Sequence, residues 1–330
     1  MTWSQLDWNA LDRLRTGFLS GSAAAGPYWQ SSSDLASYDF TYGARIGWKW
    51  DAVLDELRVR SWRPSARTVL DWGCGSGVAA RRVLAAFGGS DHFTQLHVWD
   101  HSPLAVDFAT AAAKAEFSQL NVAPAPSDIL HGLAPIGLLI ISHVLNELNP
   151  SARAQLDGLI ARASAVLWVE PGTHEVSRRL GSIRETLNSS FNVIAPCTHK
   201  GACGMFLPEH NRDWCHFFAP PPSEIFANPD WVKFGQRAGI DLRSLPYAFL
   251  ALDRISAPPT PEQLSRIIGR PEHFKPYARF LNCDANGLNE LELLKRSDPA
   301  LYKQLDRAKG PLIYRWNREA DKVHGGEPLT

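Results

Sequence analysis

The run Asp71-Trp72-Gly73-Cys74-Gly75-Ser76-Gly77 constrains this chain more than any other feature. It closes a short apolar segment, Thr68-Val69-Leu70-Asp71-Trp72, and precedes an Ala-, Arg- and Leu-rich stretch from about Val78 to Phe87. Strand, glycine loop and helix in that order make one β-loop-α unit, in which missing β-carbons let the backbone approach a ligand. A dinucleotide fingerprint needs Gly-x-Gly-x-x-Gly. Counting from Gly73 puts Val78 at its last glycine position, whereas Gly77 gives the tighter Gly-x-Gly-x-Gly. That spacing favours S-adenosylmethionine over NAD. A P-loop is disfavoured, because no Gly-Lys-Ser or Gly-Lys-Thr follows to reach phosphates.

Further units repeat the alternation. Leu96-His97-Val98-Trp99-Asp100 reads as a second strand, with a helix through Ala109 and Phe117; Gly137 to Ser142 and Ala165 to Glu170 read as two more buried strands. The pattern predicts an α/β fold: a doubly wound, mostly parallel sheet of the class I S-adenosylmethionine-dependent methyltransferase, Rossmann-like kind. Residues 1–62 form an expected N-terminal helical segment, with Leu11, Leu14, Phe18 and then Trp48, Val53, Leu57 at helical spacing around a Ser- and Gly-containing stretch. Residues 63–190 are the expected cofactor-binding domain. Residues 191–330 are read as a Cys-rich metal-cluster segment that completes the sheet, with strand-like Tyr247 to Leu252, a C-terminal extension and a frayed tail from His324 to Thr330.

Composition narrows the setting. The 12 tryptophans demand burial or a partner and argue against disorder. Lysine plus arginine total 34 against 34 acids, so no global positive field draws nucleic acid, although a neutral sum can hide a basic face. Met-Thr-Trp-Ser begins the chain without a basic region and apolar run, so a cytoplasmic protein without a membrane partner is expected, a monomer being favoured.

Asp100 stands 23 residues after Gly77, where a carboxylate can accept both ribose hydroxyls of a cofactor lying across the strand ends. Asp128, at the expected end of the third strand, could accept from an adenine amine. The alternative for each is a helix cap, which suits Asp128 better than Asp100. Cys74 reads as a small packing residue. Ser142-His143-Val144-Leu145-Asn146-Glu147 continues a strand to its carboxyl end, which makes His143, Asn146 and Glu147 site candidates. His143 or Glu147 could take a proton, and His143 could also face the cofactor; the alternative is that Asn146 and Glu147 open a surface helix. Asp71, Gly73, Gly75 and Gly77 complete the cofactor candidates. No Asn- or Asp-Pro-Pro-aromatic run for N-methylation is present, so the methyl acceptor is unassigned. Arg153, Arg162, Arg178, Arg179 and Arg184 read as a solvated helical face or as phosphate contacts.

Four cysteines remain: Cys197, Cys203, Cys215 and the distant Cys283, with five, eleven and sixty-seven residues between them. Thiolates concentrated this way can close a zinc site, with His199 or His216 as further ligands, or hold an iron–sulfur cluster; buried structural cysteines are the alternative.

Here the sequence resembles the mitochondrial and bacterial small-ribosomal-subunit methyltransferase-like proteins, the Rsm twenty-two and methyltransferase-like protein seventeen type, over roughly residues 35 to 316. The likeness rests on the Asp71 to Gly77 loop, Ser142-His143-Val144-Leu145-Asn146-Glu147-Leu148, Val169-Glu170-Pro171-Gly172-Thr173, Ala195-Pro196-Cys197 with Cys203, Asp213-Trp214-Cys215-His216-Phe217, and the Cys283 to Gly287 segment, in the family's order. The resemblance implies that Cys197, Cys203, Cys215 and Cys283 ligate a 4Fe-4S cluster. It also implies a role on small-subunit ribosomal RNA or in small-subunit assembly and translation, as a methyltransferase or as an inactive factor that only binds the cofactor. A zinc-containing small-molecule methyltransferase is the third reading. The family's Cys-Pro-His and Cys-Pro are here Cys197-Thr198-His199 and Cys203-Gly204, departures that remove no thiol.

Overall fold

The computed structural model describes residues 1–21, 26, 28–255, 263–306 and 310–330. The chain divides into two discontinuous compact units. The first holds Met1–Asp51, Pro64–Glu170 and Pro221–Leu245, the second Ala52–Arg63, Pro171–Pro220 and Pro246–Thr330.

In the first unit five strands, β1 (Thr68–Trp72), β2 (Gln95–Trp99), β3 (Asn121–Pro124), β4 (Ile136–Ser142) and β5 (Ala163–Pro171), lie in the order β3-β2-β1-β4-β5. Every neighbouring pair among them is parallel. Strands β4 and β5 are almost wholly buried, β4 reading as Ile and Leu and β5 as Ala, Val, Leu and Trp, as strands covered on both faces must. The helices are cut by local chemistry. Asp7 caps Trp8–Ser20 by accepting from the Ala10 amide at 2.9 Å, and Gly21 ends that helix in the left-handed region. Asn149 caps Pro150–Arg162 in the same way. Ser31 caps Ser32–Tyr38, which passes through a π-helical turn, Asp39–Gly43, into Ala44–Val59. Part of the Ser- and Gly-containing stretch between the first two helices lies outside the described residues.

The second unit contains β6 (Asn192–Ala195), β7 (Phe217–Ala219) and β8 (Leu245–Asp253), with β6 antiparallel to β8 and β7 paired to β8. A closed barrel follows, built from β9 (Leu264–Phe274), β10 (Tyr277–Asp284), β11 (Gly287–Leu294), β12 (Ile313–Glu319) and β13 (Lys322–Pro328). Ile267, Phe280, Leu291, Leu293, Tyr314 and Val323 fill it, and Leu301 and Leu305 of the helix Pro299–Asp306 join that core.

Two expectations are corrected here. His324 to Thr330 is not a frayed tail, because most of it is strand β13, with Tyr314 opposite Pro328 and Trp316 opposite Gly326. Its glycines suggest looseness, but at Gly326 any β-carbon would collide with the Trp316 ring. Asn146 and Glu147 open no helix: residues 145–147 form a turn, and the next helix starts at Pro150. Among the described residues no helix is long and apolar enough to cross a membrane.

Candidate cofactor site and cysteine cluster

The glycine loop joins the carboxyl end of β1 to the helix Val78–Ala86, and all three of its glycines have positive φ: 73° at Gly73, 51° at Gly75 and 75° at Gly77. Their surroundings differ. A β-carbon at Gly73 would stand 2.7 Å from Val144 Cγ1, and one at Gly77 would stand 2.9 Å from Ala109 Cβ. These two glycines let the loop pack against its own unit. Gly75 meets nothing within 4 Å, so it borders open space that a ligand can fill.

Asp100 closes β2 and reaches back to this loop, its Oδ2 accepting from the Gly75 amide at 3.0 Å and its Oδ1 from the Ser102 amide at 2.9 Å. Burial raises its pKa against those hydrogen bonds. Asp71 is completely buried, and burial lifts its carboxyl to about 7; the Ala80 amide opposes the rise, while Asp100 adds to it. By distance and angle neither carboxylate oxygen has a hydrogen-bond partner among the described residues. Two adjoining buried carboxyls with one free acceptor set suit a cationic or hydroxyl-bearing ligand. Asp128 is different: it sits exposed in the first turn of the short helix Ser127–His131, beyond the end of β3. Cys74 is buried, and burial drives its thiol pKa well up, which fits packing rather than nucleophilic chemistry.

At the end of β4, His143 adopts φ 58°, a left-handed conformation that directs the chain into the turn carrying Glu147. Glu170 of β5 fixes that turn, one carboxylate oxygen accepting from the amides of Val144 at 3.0 Å and Leu145 at 3.2 Å and from Trp168 Nε1 at 2.7 Å. Lys49 Nζ lies 3.3 Å from His143 Nε2, and Ser142 Oγ lies 3.2 Å from Nδ1 and accepts from Trp50 Nε1 at 3.0 Å. Burial, Lys49 and Arg45 hold His143 well below the usual imidazole range, so it is neutral at pH 7. Burial and Arg45 lower Lys49 to about 7. Burial, Asp100 and Glu170 raise Glu147 to about 7, where a hydrogen bond from Tyr28 steadies it. A carboxyl poised near neutrality can both hold and accept a proton, so Glu147 is better tuned for acid–base work than His143.

Sequence reasoning missed Lys49, Tyr28 and Glu170 at this site. Lys49 carries a signal, a lysine between Trp48 and Trp50 on an otherwise apolar helical stripe. The π-helical turn was also missed, and it adjoins the loop: a Gly43 β-carbon would lie 3.5 Å from Ser76 Oγ, and Asp39 pairs with Arg81 at 2.5 Å. Such turns gather at functional sites.

In the second unit the four cysteines come from separate elements. Cys197 follows β6, Cys203 precedes the short turn Gly204–Phe206, Cys215 precedes β7, and Cys283 lies on β10. Burial raises Cys203, Cys215 and Cys283, and the charges of the other thiols raise each further: Cys215 responds to Cys197, Cys283 and Cys203, and Cys283 to Cys197 and Cys203. The four therefore share one electrostatic neighbourhood. Among the described residues no three His, Cys, Asp or Glu stand close enough to share a single metal ion. His199 Nε2 lies 3.6 Å from Cys283 Sγ, while His216 bonds the Trp214 carbonyl and stacks on its ring.

Arginines hold the cysteine-bearing loop by its carbonyls. Arg60 donates to the carbonyls of Ile194 at 3.1 Å, Cys197 at 3.2 Å and Pro196 at 2.8 Å. Arg184 donates to those of Gly201 at 2.8 Å and His199 at 3.1 Å, and Arg178 to those of Met205, His210 and Asp213. Arg153 pairs with Asp157, and Arg162 binds the carbonyls of Ala134 and Ile129. Arg162, Arg178 and Arg184 are thus structural ties, whereas Arg153 lies on a solvated helical face, as expected of it. Arg60 and Arg266 are both buried against one carboxylate, Glu56: Arg60 Nε donates to its Oε1 at 2.9 Å and Arg266 Nη2 to its Oε2 at 2.7 Å. Two guanidiniums on one carboxylate leave a buried positive charge beside the thiols.

A parallel sheet in the order β3-β2-β1-β4-β5, with a glycine loop at the carboxyl end of β1 and an acid closing β2, defines a class I S-adenosylmethionine-dependent methyltransferase fold. The chain belongs to the family described as Mitochondrial small ribosomal subunit Rsm22, whose family model matches residues 44–309. No curated protein matches the chain. Among solved structures it is similar to a candidate RNA methyltransferase from Pyrococcus horikoshii at 12% identity, over 62% of this chain and 82% of that one, with a TM-score of 0.38. It is similar also to a SAM-dependent methyltransferase from Aquifex aeolicus at 16% identity, over 50% of this chain and 90% of that one, with a TM-score of 0.36. Likeness at this level carries no argument about activity; the fold rests on strand order and loop geometry.

Proposed function

We propose that this protein binds S-adenosylmethionine at the β1 loop and acts on small-subunit ribosomal RNA, with a structural 4Fe-4S cluster on Cys197, Cys203, Cys215 and Cys283. The observation that carries the cofactor assignment is the open cradle at Gly75, bordered by Asp100 and the unbonded Asp71 carboxylate. The ribosomal target is supported by the family description. When bound, the cofactor supplies an electrophilic methyl group. The chain's own residues then orient the partners and handle a proton: Glu147 Oε is the acceptor best matched to neutral pH, with Tyr28 holding it in place. Asp71 and Asp100 are the acceptors assigned in this reading to the cationic and hydroxyl groups of the ligand. Asp128, exposed beyond β3, remains the candidate for the adenine amine.

The cluster reading is supported by four thiols that feel one another's charge and by the buried excess of arginine. The thiolate charge of a four-iron cluster would answer the guanidiniums. Four protein ligands leave no iron open, so its task is to hold the segment together.

Calorimetric titration with S-adenosylmethionine tests the site. Binding of one equivalent is expected, weakened by about tenfold or more in Asp100→Ala, which removes an acceptor and frees the Gly75 amide. A cationic ligand favours ionised Asp71 and Glu147, whose pKa values lie at about 7 without it. Affinity should therefore rise several-fold between roughly pH 6 and pH 8 and then level off. Unchanged affinity in Asp100→Ala sinks the assignment.

A further inference from the structure

The barrel of the second unit has a connectivity of its own. Strand β10 pairs antiparallel with β9 and β11, β12 pairs antiparallel with β9 and β13, and the one parallel pairing joins β11 to β13. Counted from β9, the strands close in the order 1-2-3-5-4, with the helix Pro299–Asp306 between the third and fourth. That is the topology of an OB-fold, which binds extended single strands over its second and third strands and the loops joining strands 1–2 and 4–5.

The surface at that place is built from stacked aromatics and cations. In the β9–β10 hairpin, Phe274 is 39% exposed and stacks on Tyr277 with ring centroids 4.7 Å apart and planes 23° apart. The Arg279 guanidinium stands 5.5 Å over the Phe274 ring, and the Lys295 ammonium 5.4 Å over the Tyr302 ring. Tyr302 donates its hydroxyl to the Phe274 carbonyl at 2.8 Å, which fixes the helix end beside the hairpin. Residues 271–279 and 294–303 hold Lys275, Arg279, Lys295, Arg296 and Lys303 with Glu272 and Asp298, and Glu290 of β11 also pairs with Arg279. Asp298 is committed to the Leu301 amide and Glu272 to Arg279. Lys275, Lys295, Arg296 and Lys303 are exposed. The β12–β13 turn adjoins this patch through the parallel pair Glu292–Lys322 and adds no free cation, since Lys322 pairs with both Glu292 and Asp321. Phe274 and the half-buried Tyr277 offer flat ring faces for bases to stack on, and the exposed Lys275, Lys295, Arg296 and Lys303 beside them suit a polyanion.

We infer that this rim, centred on Phe274 and Tyr277 and flanked by Lys275, Lys295 and Arg296, binds single-stranded RNA. The inference deepens the RNA-directed reading above by naming a surface distinct from the cofactor loop. Bases stack on the two rings, and the lysines and arginines meet phosphates.

The test is fluorescence anisotropy of the full chain with a labelled oligouridylate of about twelve nucleotides. Wild-type protein is expected to bind, Phe274→Ala/Tyr277→Ala to bind about tenfold or more weakly, and Lys295→Ala/Arg296→Ala to lose roughly 1.4 from the slope of log affinity against log salt. The second variant alters only exposed side chains, so it stands even where the first disturbs folding. Asp100→Ala is expected to bind RNA as wild type does. Affinity within twofold of wild type in both barrel variants overturns the inference and leaves the function proposed above standing. Loss of cofactor binding with barrel-dependent RNA binding intact does the reverse. Binding to anionic phospholipid vesicles that needs Lys295 and Arg296 but not the rings, without RNA binding, would assign the rim to lipid and overturn the inference.

Discussion

Replacing Glu56 by alanine is expected to destabilise the second unit by about 3–5 kcal/mol, because it strips the carboxylate from two guanidiniums that stay buried. The side chains of Glu56, Arg60 and Arg266 are 1%, 6% and 3% exposed, so water cannot replace the lost partner. Arg266 also lies 3.7 Å over the Phe217 ring, which prevents its swinging out to solvent. The damage would reach the cysteines, since Arg60 holds the carbonyls of Ile194, Pro196 and Cys197. Thermal melting followed by hydrogen exchange over β6 and β9 measures this; a fall of roughly 10 °C is expected, and a change under about 2 °C contradicts it. Acid should act the same way. Burial raises the Glu56 carboxyl, but Arg266 and Arg60 together bring it below its ordinary 4.5. Its contribution is thus complete above pH 4.5 and disappears as pH falls through the lower native value, and Glu56→Ala should flatten that part of the acid transition.

Changing Cys283 to serine should abolish the bound cluster outright. Protein purified without oxygen is expected to carry about four irons and four acid-labile sulfides per chain, with a broad visible absorption, and Cys283→Ser to lose both. Cys283 is the informative ligand because it lies on β10, with sixty-seven residues between it and Cys215, so that of the four thiols it is the one the barrel carries. The same substitution should therefore loosen residues 197–215 in hydrogen exchange more than it loosens the barrel, whose core of Phe280, Leu291 and Leu293 is separate. Stoichiometric zinc, or no metal in wild-type protein, would overturn the cluster.

Much of the first unit can be read from sequence because its signals are local. Thr68–Trp72 forms the strand expected of it, and Gly73, Gly75 and Gly77 all need positive φ. Asp71 and Glu147 both feel the charge of Asp100, whereas His143 faces Lys49 and Arg45. What the sequence hides is set by long-range packing. Lys49 meets His143 across 94 positions and Arg266 meets Glu56 across 210, and no periodicity encodes such pairs. The barrel was legible only as a mixed segment: its strands carry bulges at Arg279/Leu281 and Asn317/Arg318 that break the alternation, and Gly325-Gly326 imitates a loose end. The arginines were read from their helical spacing, which says nothing of the carbonyls they reach.

The measurement that bears most directly on function is transfer of a labelled methyl group from S-adenosylmethionine to purified small ribosomal subunits. The expected result is label in the ribosomal RNA, lost when Asp100 or Glu147 is replaced by alanine. A protein that binds the cofactor and co-sediments with small subunits, yet leaves both their RNA and their proteins unlabelled, would contradict catalysis and identify a binding factor instead.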